Sequence, residues 1–225
     1  MDIRETVQVD DFEAKYAKEQ ALKKLRANVG LFGRTMFPTA IAKAVPPFHH
    51  EIYRNLADDD KKRVLIAAPR GTAKSTVTSL ILPLHRIAFK PSASDLFIVI
   101  VSESQSQSIN FLSRIKYHLI NSQNFKEMFG DYGPETAKRW TNNDVLLANG
   151  ARIVAVGTGQ RVRGFIEGDT RPNLIIVDDY ESELNAATPE ARAKNRKWIT
   201  EAVIPSLSDD GRIVMIGTVI SEDCF

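Results

Sequence analysis

The sequence has little of several features that would point directly to a function. It has one cysteine, Cys224, so no disulfide can form within the chain, and we expect a reducing compartment. No apolar run approaches the roughly 18 residues that a membrane span needs, and the first residues lack the apolar core of a signal peptide. The 30 basic and 28 acidic residues nearly balance, so net charge does not indicate nucleic-acid binding. These absences predict a cytosolic protein without a membrane partner, in which nucleic acid would be bound by local patches.

Short apolar segments alternate with helical patterns from residue 63 onward. We expect strands at 63–68, 96–101, 174–177 and 212–216, and helices at 75–89, 105–121 and 189–202. Asn149-Gly150 lies between the apolar segments 144–148 and 151–156, which predicts a hairpin with a type I′ turn. Repeated strand–helix units predict a doubly wound α/β fold with a mainly parallel sheet, flanking helices and an antiparallel hairpin.

The part of the chain before this alternation is predicted to be helical. Residues 11–26 are charged and helix-prone, and Pro46-Pro47 precedes a second helix over 48–56. We therefore expect a helical extension over residues 1–45 and an α/β domain over residues 46–225.

The loop between the first strand and its helix has the composition of a phosphate-binding loop. Such a loop needs inward-pointing backbone N–H groups, a lysine for the β- and γ-phosphates, and a hydroxyl for Mg²⁺ at the helix start. Lys74 and Ser75 supply the last two, although alanine stands at 68 and 73 where the usual pattern has glycine. An ordinary strand–turn–helix connection is the alternative. The expected binding residues are Pro69, Arg70, Gly71, Thr72, Ala73, Lys74, Ser75 and Thr76.

Acidic residues follow the apolar strand at 174–177. Asp178 and Asp179 would lie at the carboxyl edge of the sheet, where the phosphate loop also opens. Asp178 would hold Mg²⁺ together with Ser75, and either Asp179 or Glu181 would orient the attacking water. An N-cap or turn is the alternative for these acids taken alone. The loop and the acids together predict a hydrolase of Mg²⁺–ATP.

Four segments resemble motifs of viral large terminase subunits. Residues 68–76 look like their Walker A variant, and residues 174–181 look like their Walker B segment. Ile216-Gly217-Thr218-Val219 is similar to their coupling motif, and residues 159–164 are similar to an Arg-Gly loop that follows the hairpin. The resemblance extends over about residues 46–222.

The resemblance implies a DNA-packaging motor with a P-loop, RecA-like ATPase fold. It implies a homo-oligomeric ring docked on the viral portal protein, with double-stranded DNA in its channel and the small terminase subunit as a further partner. It places the protein in the host-cell cytoplasm, transiently on the procapsid. Gly217 and Thr218 would couple nucleotide state to movement. A nuclease domain normally follows in this family, and we expect no DNA cutting from residues 1–225.

The chain departs from this family in two places. Many members have glutamate after the Walker B aspartate, whereas this chain has Asp179, which leaves Glu181 as a rival. Many also carry a glutamine before the loop that reads adenine. Here Phe48 and His49 are the residues that would stack on the base, or they are simply a core aromatic and a surface histidine.

Arginine residues offer several candidates for stabilising the transition state. Arg70, inside the loop, would act in cis, and Arg163 is our choice for an arginine finger acting on a neighbouring subunit. Arg161 and Arg139 are further candidates. Arg161 and Arg163 could instead contact DNA phosphate or be solvated, and Arg70 could be an exposed loop cation. Two other functions remain open, a helicase-like nucleic-acid-stimulated ATPase and a weakly hydrolysing nucleotide-binding assembly module.

Overall fold

A computed structural model describes residues 3–41, 46–91, 95–160, 170–182 and 184–218, with side chains from residue 13 onward. A single mixed sheet lies at its centre, with strands in the order β1-β7-β6-β2-β5-β4-β3. The strands are β1 (Arg63–Ala67), β2 (Leu96–Ser102), β3 (Arg139–Trp140), β4 (Asp144–Leu146), β5 (Ala151–Gly157), β6 (Leu174–Asp178) and β7 (Arg212–Gly217).

Five adjacent strands of this sheet are parallel. β1, β7, β6, β2 and β5 pair in parallel, and β4 and β3 extend the sheet as an antiparallel edge. Strand β6 lies between β2 and β7, with Asp178 in register with Ser102 on one side and Ile216 on the other. The carboxyl ends of three strands therefore meet at one place on the sheet edge.

Helices cover both faces of the sheet. They are α1 (Ile3–Ala27), α2 (Val29–Met36), α3 (Pro47–Ala57), α4 (Leu82–Ala88), α5 (Gln105–Asn121), α6 (Gln123–Phe129) and α7 (Pro189–Trp198). Segment Thr76–Ile81 forms π-type turns that lead into α4, and Ile199–Val203 does the same after α7. None of the helices in the described ranges is long and apolar enough to cross a membrane.

Alternating side chains of the central strands fill two separate cores. In β2, Ile98 and Ile100 belong to the larger core beneath helices α1 to α6. Phe97, Val99 and Val101 belong to the smaller core, which is covered by the end of α7 and the segment Ile199–Val203. A strand that is buried on both faces is apolar at every position, as the sequence indicated. The predicted doubly wound α/β fold with a mainly parallel sheet is confirmed.

Several predicted elements agree closely with the structure. The helix over 105–121 has the predicted bounds, since the Ser104 side chain caps it by accepting a hydrogen bond from the Gln107 N–H. Elements α2, α6 and β3 were not predicted. Phe32 and Phe37 of the α2 region are at most 1% exposed and pack in the larger core. The division of the chain at residue 45/46 stays a prediction, although α2 contributes to the core of the sheet.

The predicted hairpin is present, but its predicted type I′ turn is wrong. That turn needs positive φ at both central residues, and here Gly150 has φ 81° while Asn149 does not have positive φ. The Gly150 N–H instead donates to the Leu147 carbonyl, and the Asn149 side chain accepts from the Ala151 N–H and donates to the Ile87 carbonyl. These contacts hold Asn149 out of the left-handed conformation. Of the two central residues of the turn, only Gly150 therefore has a positive φ.

Candidate active site

The candidate site lies where β1, β6 and β7 end. Beyond β1, the chain forms a loop over residues 68–73, and a helical segment begins at Lys74. The loop is tied to β7 by the Ala68 N–H, which donates to the Gly217 carbonyl at 3.1 Å. The Asp179 N–H, just after β6, donates to the Ile216 carbonyl at 2.9 Å. Backbone hydrogen bonds therefore hold the loop and the acidic strand end against the same strand.

Two residues of the loop have left-handed backbone conformations. Gly71 has φ 80° and Ala73 has φ 56°. Alanine in this region costs roughly 1–2 kcal/mol, because its Cβ approaches the following carbonyl oxygen. The Thr72 hydroxyl donates to the Pro69 carbonyl at 2.8 Å, which helps to hold the turn of the loop. The backbone at position 73 is thus left-handed although the residue is alanine, where the usual phosphate-loop pattern has glycine.

His49 of α3 supports the loop from beneath. Its side chain is 5% exposed, and its Nε2 lies 2.6 Å from the Thr72 carbonyl oxygen, to which an N–H at this position donates. Phe48, by contrast, is 42% exposed, and its ring contacts the His49 ring edge-on at 4.6 Å. Of the two residues predicted to stack on a base, His49 is therefore built into the loop support and Phe48 is open to solvent.

Lys74 is held by two side chains from the neighbouring strand ends. Its Nζ donates to Thr218 Oγ1 at 2.9 Å and lies 3.6 Å from Asp179 Oδ2. Lys74 is only 4% exposed, so the loss of either partner would leave a buried charge poorly compensated. In this arrangement the ammonium group joins the loop to the ends of β6 and β7.

Asp178 is buried and accepts hydrogen bonds from two serines of the helix that follows the loop. The Ser75 hydroxyl donates to Asp178 Oδ1 at 2.9 Å, and the Ser79 hydroxyl donates to Oδ2. Ser102, at the end of β2, donates to the Asp178 carbonyl at 2.9 Å. Burial raises the pKa of the Asp178 carboxyl to about 6, against the lowering effect of the two serine hydroxyls. A nearby positive charge would therefore be favourable here.

The second acid, Asp179, faces the lysine. Asp179 has φ 41°, and its Oδ1 accepts a hydrogen bond from the Thr218 N–H at 3.0 Å. The side chain is 35% exposed, so it borders both Lys74 and solvent. Glu181, two residues further on, is half-buried. One oxygen of the Asp179 carboxylate is thus fixed by a backbone N–H, while the side chain is partly accessible to solvent. A group that orients water needs this placement.

The donor set at Ser75 and Asp178 fits magnesium rather than a transition metal. Among the described residues, no group of three or more His, Cys, Asp or Glu side chains could hold a metal. Mg²⁺ in phosphate sites keeps several waters and takes only one or two carboxylates together with phosphate oxygens. Ser75 Oγ lies 2.9 Å from the buried Asp178 Oδ1, so the two residues offer one hydroxyl and one carboxylate to such an ion.

The predicted arginines have different positions. Arg70 is exposed on the loop. Arg139 on β3 forms an ion pair with Asp144 at 2.8 Å, which is a structural role at the sheet edge. Arg161 and Arg163 lie outside the described residues.

Ser79, Ser102 and the support role of His49 were not predicted. Ser79 lies four residues after Ser75, and side chains at that spacing share one face of a helix, so the pair carried a usable signal. The contacts of Ser102 and His49 join residues 76 and 23 positions apart and carry no local signal.

Comparisons with known proteins agree at the level of fold. No family model matches the chain, and no curated protein matches its sequence. The ATPase domain of the Thermus phage P74-26 large terminase is 16% identical with a TM-score of 0.51, over 80% of this chain and 67% of that one. Dbp5 of S. cerevisiae, in a structure with Nup159, Gle1, IP6 and ADP, is 11% identical with a TM-score of 0.53, over 84% of this chain and 46% of that one.

The large terminase of bacteriophage HK97 is 12% identical with a TM-score of 0.49, over 78% of this chain. This chain spans about a third of that protein's length, 33%. The likenesses to the P74-26 terminase domain and to Dbp5, with the sheet order above, show a RecA-like α/β fold.

Proposed function

We propose that this chain is the ATP-hydrolysing domain of a nucleic-acid motor, of the kind that packages viral DNA. One observation carries the proposal. Lys74, Ser75, Asp178, Asp179 and Thr218, from three separate segments, meet within hydrogen-bond or ion-pair distance at the carboxyl edge of the sheet. A structural turn has no need of a buried lysine and two adjacent acids at the same point, whereas phosphoryl transfer to water needs each of them.

The loop and its lysine would bind the phosphates of ATP. Backbone N–H groups of residues 70–75 would surround the β-phosphate at the start of the helix, and Lys74 would neutralise the β- and γ-phosphate oxygens. Its ammonium group would then exchange the present contacts with Thr218 and Asp179 for phosphate oxygens. Ser75 and Asp178 would hold Mg²⁺, which, when bound, stabilises the charge that develops on the phosphate oxygens.

Asp179 is the better-supported candidate for orienting the attacking water. Its Oδ2 is directed toward Lys74, so it borders the space where the γ-phosphate would lie. Releasing Lys74 to the phosphates would free this oxygen to accept a proton from water. Glu181 remains the alternative.

The coupling of hydrolysis to movement would pass through Thr218. Its hydroxyl accepts from Lys74, and its N–H donates to Asp179, so Thr218 contacts both groups that the γ-phosphate would displace. We expect Thr218→Ala to hydrolyse ATP without translocating DNA, and intact packaging by this variant would contradict the coupling role.

The partners belong to the same proposal. Double-stranded DNA, a viral portal protein, a small terminase subunit and further copies of this chain in a ring would complete the motor, in the host-cell cytoplasm. Arg163 from a neighbouring copy, or Arg70 within the chain, would stabilise the transition state, to which such a residue contributes about 10³–10⁵ in rate.

ATP turnover against protein concentration tests this proposal. We expect turnover by the native chain and a loss of at least about 100-fold in Lys74→Ala, because the lysine stabilises the transferred phosphoryl group. Turnover that rises more steeply than the protein concentration would indicate an arginine from a neighbouring copy, and proportional turnover would favour Arg70. Equal rates for the native chain and Lys74→Ala would overturn the proposed function.

The same assay separates the two carboxylates. Asp179→Asn should lose about 10²-fold or more of the turnover, since general-base assistance contributes that much, while Glu181→Gln should keep most of it. The reverse order would assign the role to Glu181.

A helicase-like ATPase is the second candidate, because the Dbp5 likeness is as good as the terminase one. Stimulation of turnover by single-stranded RNA, with none by duplex DNA, would favour it.

A further inference from the structure

A cleft bordered by α2 and α3 has the features of an anion-binding site. It has a volume of about 520 Å³ and lies between the end of α1, α2 and α3. The basic side chains along it are Arg34 of α2 and His50 and Arg54 of α3. This volume lies within the 300–1,000 Å³ that ligand pockets usually have.

The basic groups of this cleft have no acidic neighbour among the described residues that line it. Arg34, His50 and Arg54 are exposed. Within the described ranges, none of these three side chains forms an ion pair or a hydrogen bond. Arg86 and Arg139, which are half-buried, instead pair with Asp59 and Asp144. Basic groups that share a cleft repel one another, and an anionic ligand would relieve that repulsion.

The wall of the cleft is closely packed and partly apolar. Tyr53 lines it and is 5% exposed, and its ring packs so closely on α2 that a Cβ at Gly30 would lie 2.6 Å from it. The Tyr53 hydroxyl is buried and has no hydrogen-bond partner among the described residues. Leu31 adds an exposed apolar surface beside the basic groups. A ligand with alternating charged and apolar parts would match this wall.

Helix α3 also connects the cleft to the candidate active site. His50 lines the cleft, and its neighbour His49 bonds to the Thr72 carbonyl two residues before Lys74. A ligand that shifts α3 would therefore shift the support of the phosphate loop. This connection favours a ligand whose binding affects ATP hydrolysis.

We propose that the α2–α3 cleft binds the phosphodiester backbone of duplex DNA. This inference rests on the proposed function, which makes DNA the moving partner. Guanidinium groups form paired hydrogen bonds with phosphate oxygens, so Arg34 and Arg54 would each hold a backbone phosphate. A sugar face would lie against the exposed Leu31, and such contacts would be independent of base sequence.

Fluorescence anisotropy of a labelled 20-base-pair duplex, without nucleotide, tests the inference on the full chain. In Arg34→Gln/Arg54→Gln we expect the affinity at 50 mM salt to fall by about tenfold or more. The slope of log K against log salt should decrease by about 2, because two phosphate contacts are lost. Arg114→Gln/Lys138→Gln is the matched control, since it removes two exposed positive charges far along the chain from the cleft.

Equal affinity and salt slope in the cleft and control variants would overturn the inference. A polyglutamate peptide that binds as tightly as the duplex, with the same loss in the cleft variant, would reassign the cleft to an acidic protein partner and also overturn it. Thermal unfolding of both double variants checks that each is folded. Because binding is measured without ATP, this result is separate from the turnover of Lys74→Ala, so either proposal can fail alone.

Discussion

The buried carboxylate of Asp178 shows how single residues define the candidate site. Burial in the sheet edge disfavours its charge, while Ser75 and Ser79 donate to its two oxygens and favour that charge. Ser75 also belongs to the loop sequence that would hold magnesium, so only Ser79 is left to orient the carboxylate when the metal is bound. Ser79 is 0% exposed, and in the described part of the chain its hydroxyl contacts only the Asp178 carboxylate and the Thr78 hydroxyl.

Removing the Ser79 hydroxyl should therefore weaken metal binding. Groups that orient a metal ligand typically contribute 10–100-fold in affinity, so in Ser79→Ala we expect half-maximal ATP turnover to need about tenfold more Mg²⁺. Ser206→Ala is a suitable control, because Ser206 is also buried but donates to the Val203 carbonyl, away from the site. An unchanged Mg²⁺ requirement in Ser79→Ala would show that Ser75 and the backbone alone orient Asp178.

At the scale of elements, the packing of α5 on β5 fixes the sheet edge next to the site. The end of β5 approaches the start of α5 so closely that a Cβ at Gly157 would lie 2.5 Å from the Gln105 backbone nitrogen. Just beyond it, the Thr158 N–H and hydroxyl both donate to the Ser102 carbonyl, and its hydroxyl also bonds to the Tyr180 carbonyl. These contacts bring β5 to the ends of β2 and β6, so the close approach at Gly157 supports the site indirectly.

Gly157→Ala should destabilise the fold. The added methyl group meets backbone rather than a movable side chain, so α5 and β5 must separate, at a cost of about 1–3 kcal/mol in the free energy of unfolding. Chemical denaturation measures this value. Gly133→Ala is the comparison, because its added Cβ would meet only the Asp131 side chain, at 3.2 Å. Equal stability of the two variants would mean that the β5–α5 contact relaxes without cost.

At the scale of the whole molecule, the larger core encloses a histidine that resists protonation. His85 of α4 is 3% exposed, and its Nε2 lies 3.0 Å from the Arg26 carbonyl oxygen of α1. Burial lowers the pKa of His85 to about 4, and the charge of Arg86 adds to this, whereas Asp59 opposes it. The unfolded chain takes up this proton near pH 6.5, so His85 reduces the stability of the whole fold as the pH falls from 6.5 toward 4.

A comparison of the native chain with His85→Gln isolates this effect. Asp178 acts in the opposite direction, because its raised pKa makes the folded state bind the proton first, but it is present in both proteins. From pH 7.5 to pH 5, the native chain should lose on the order of 2 kcal/mol of unfolding free energy relative to His85→Gln. His50→Gln, at an exposed position, should follow the native chain. Parallel stability curves for the native chain and His85→Gln would refute the assignment.

Periodicity in the sequence was enough to determine the elements that are long or buried on both faces. The fully apolar strands β2 and β6 and the helix over 105–121 were predicted because each has a continuous local pattern and, in the helix, a serine cap. The order of the strands and helices along the chain was enough to predict that the loop and the acids lie together. The reason is that the carboxyl ends of adjacent parallel strands always meet at one edge of the sheet. The proximity of Ser75 to Asp178 and of Lys74 to Asp179 was predicted on this basis.

The tertiary structure decided what depends on contacts between distant segments. Helices α2 and α6, of 8 and 7 residues, are too short for a clear period, and packing in the core rather than intrinsic propensity stabilises them. Ser79 and Asp178 are 99 residues apart, and the basic cleft lies between two helices of which one ends at Met36 and the next begins at Pro47. Local sequence patterns record which face of an element is apolar, but they do not record which other element covers that face. The support of the loop by His49, the second serine on Asp178 and the cleft between α2 and α3 therefore became visible only in the folded chain.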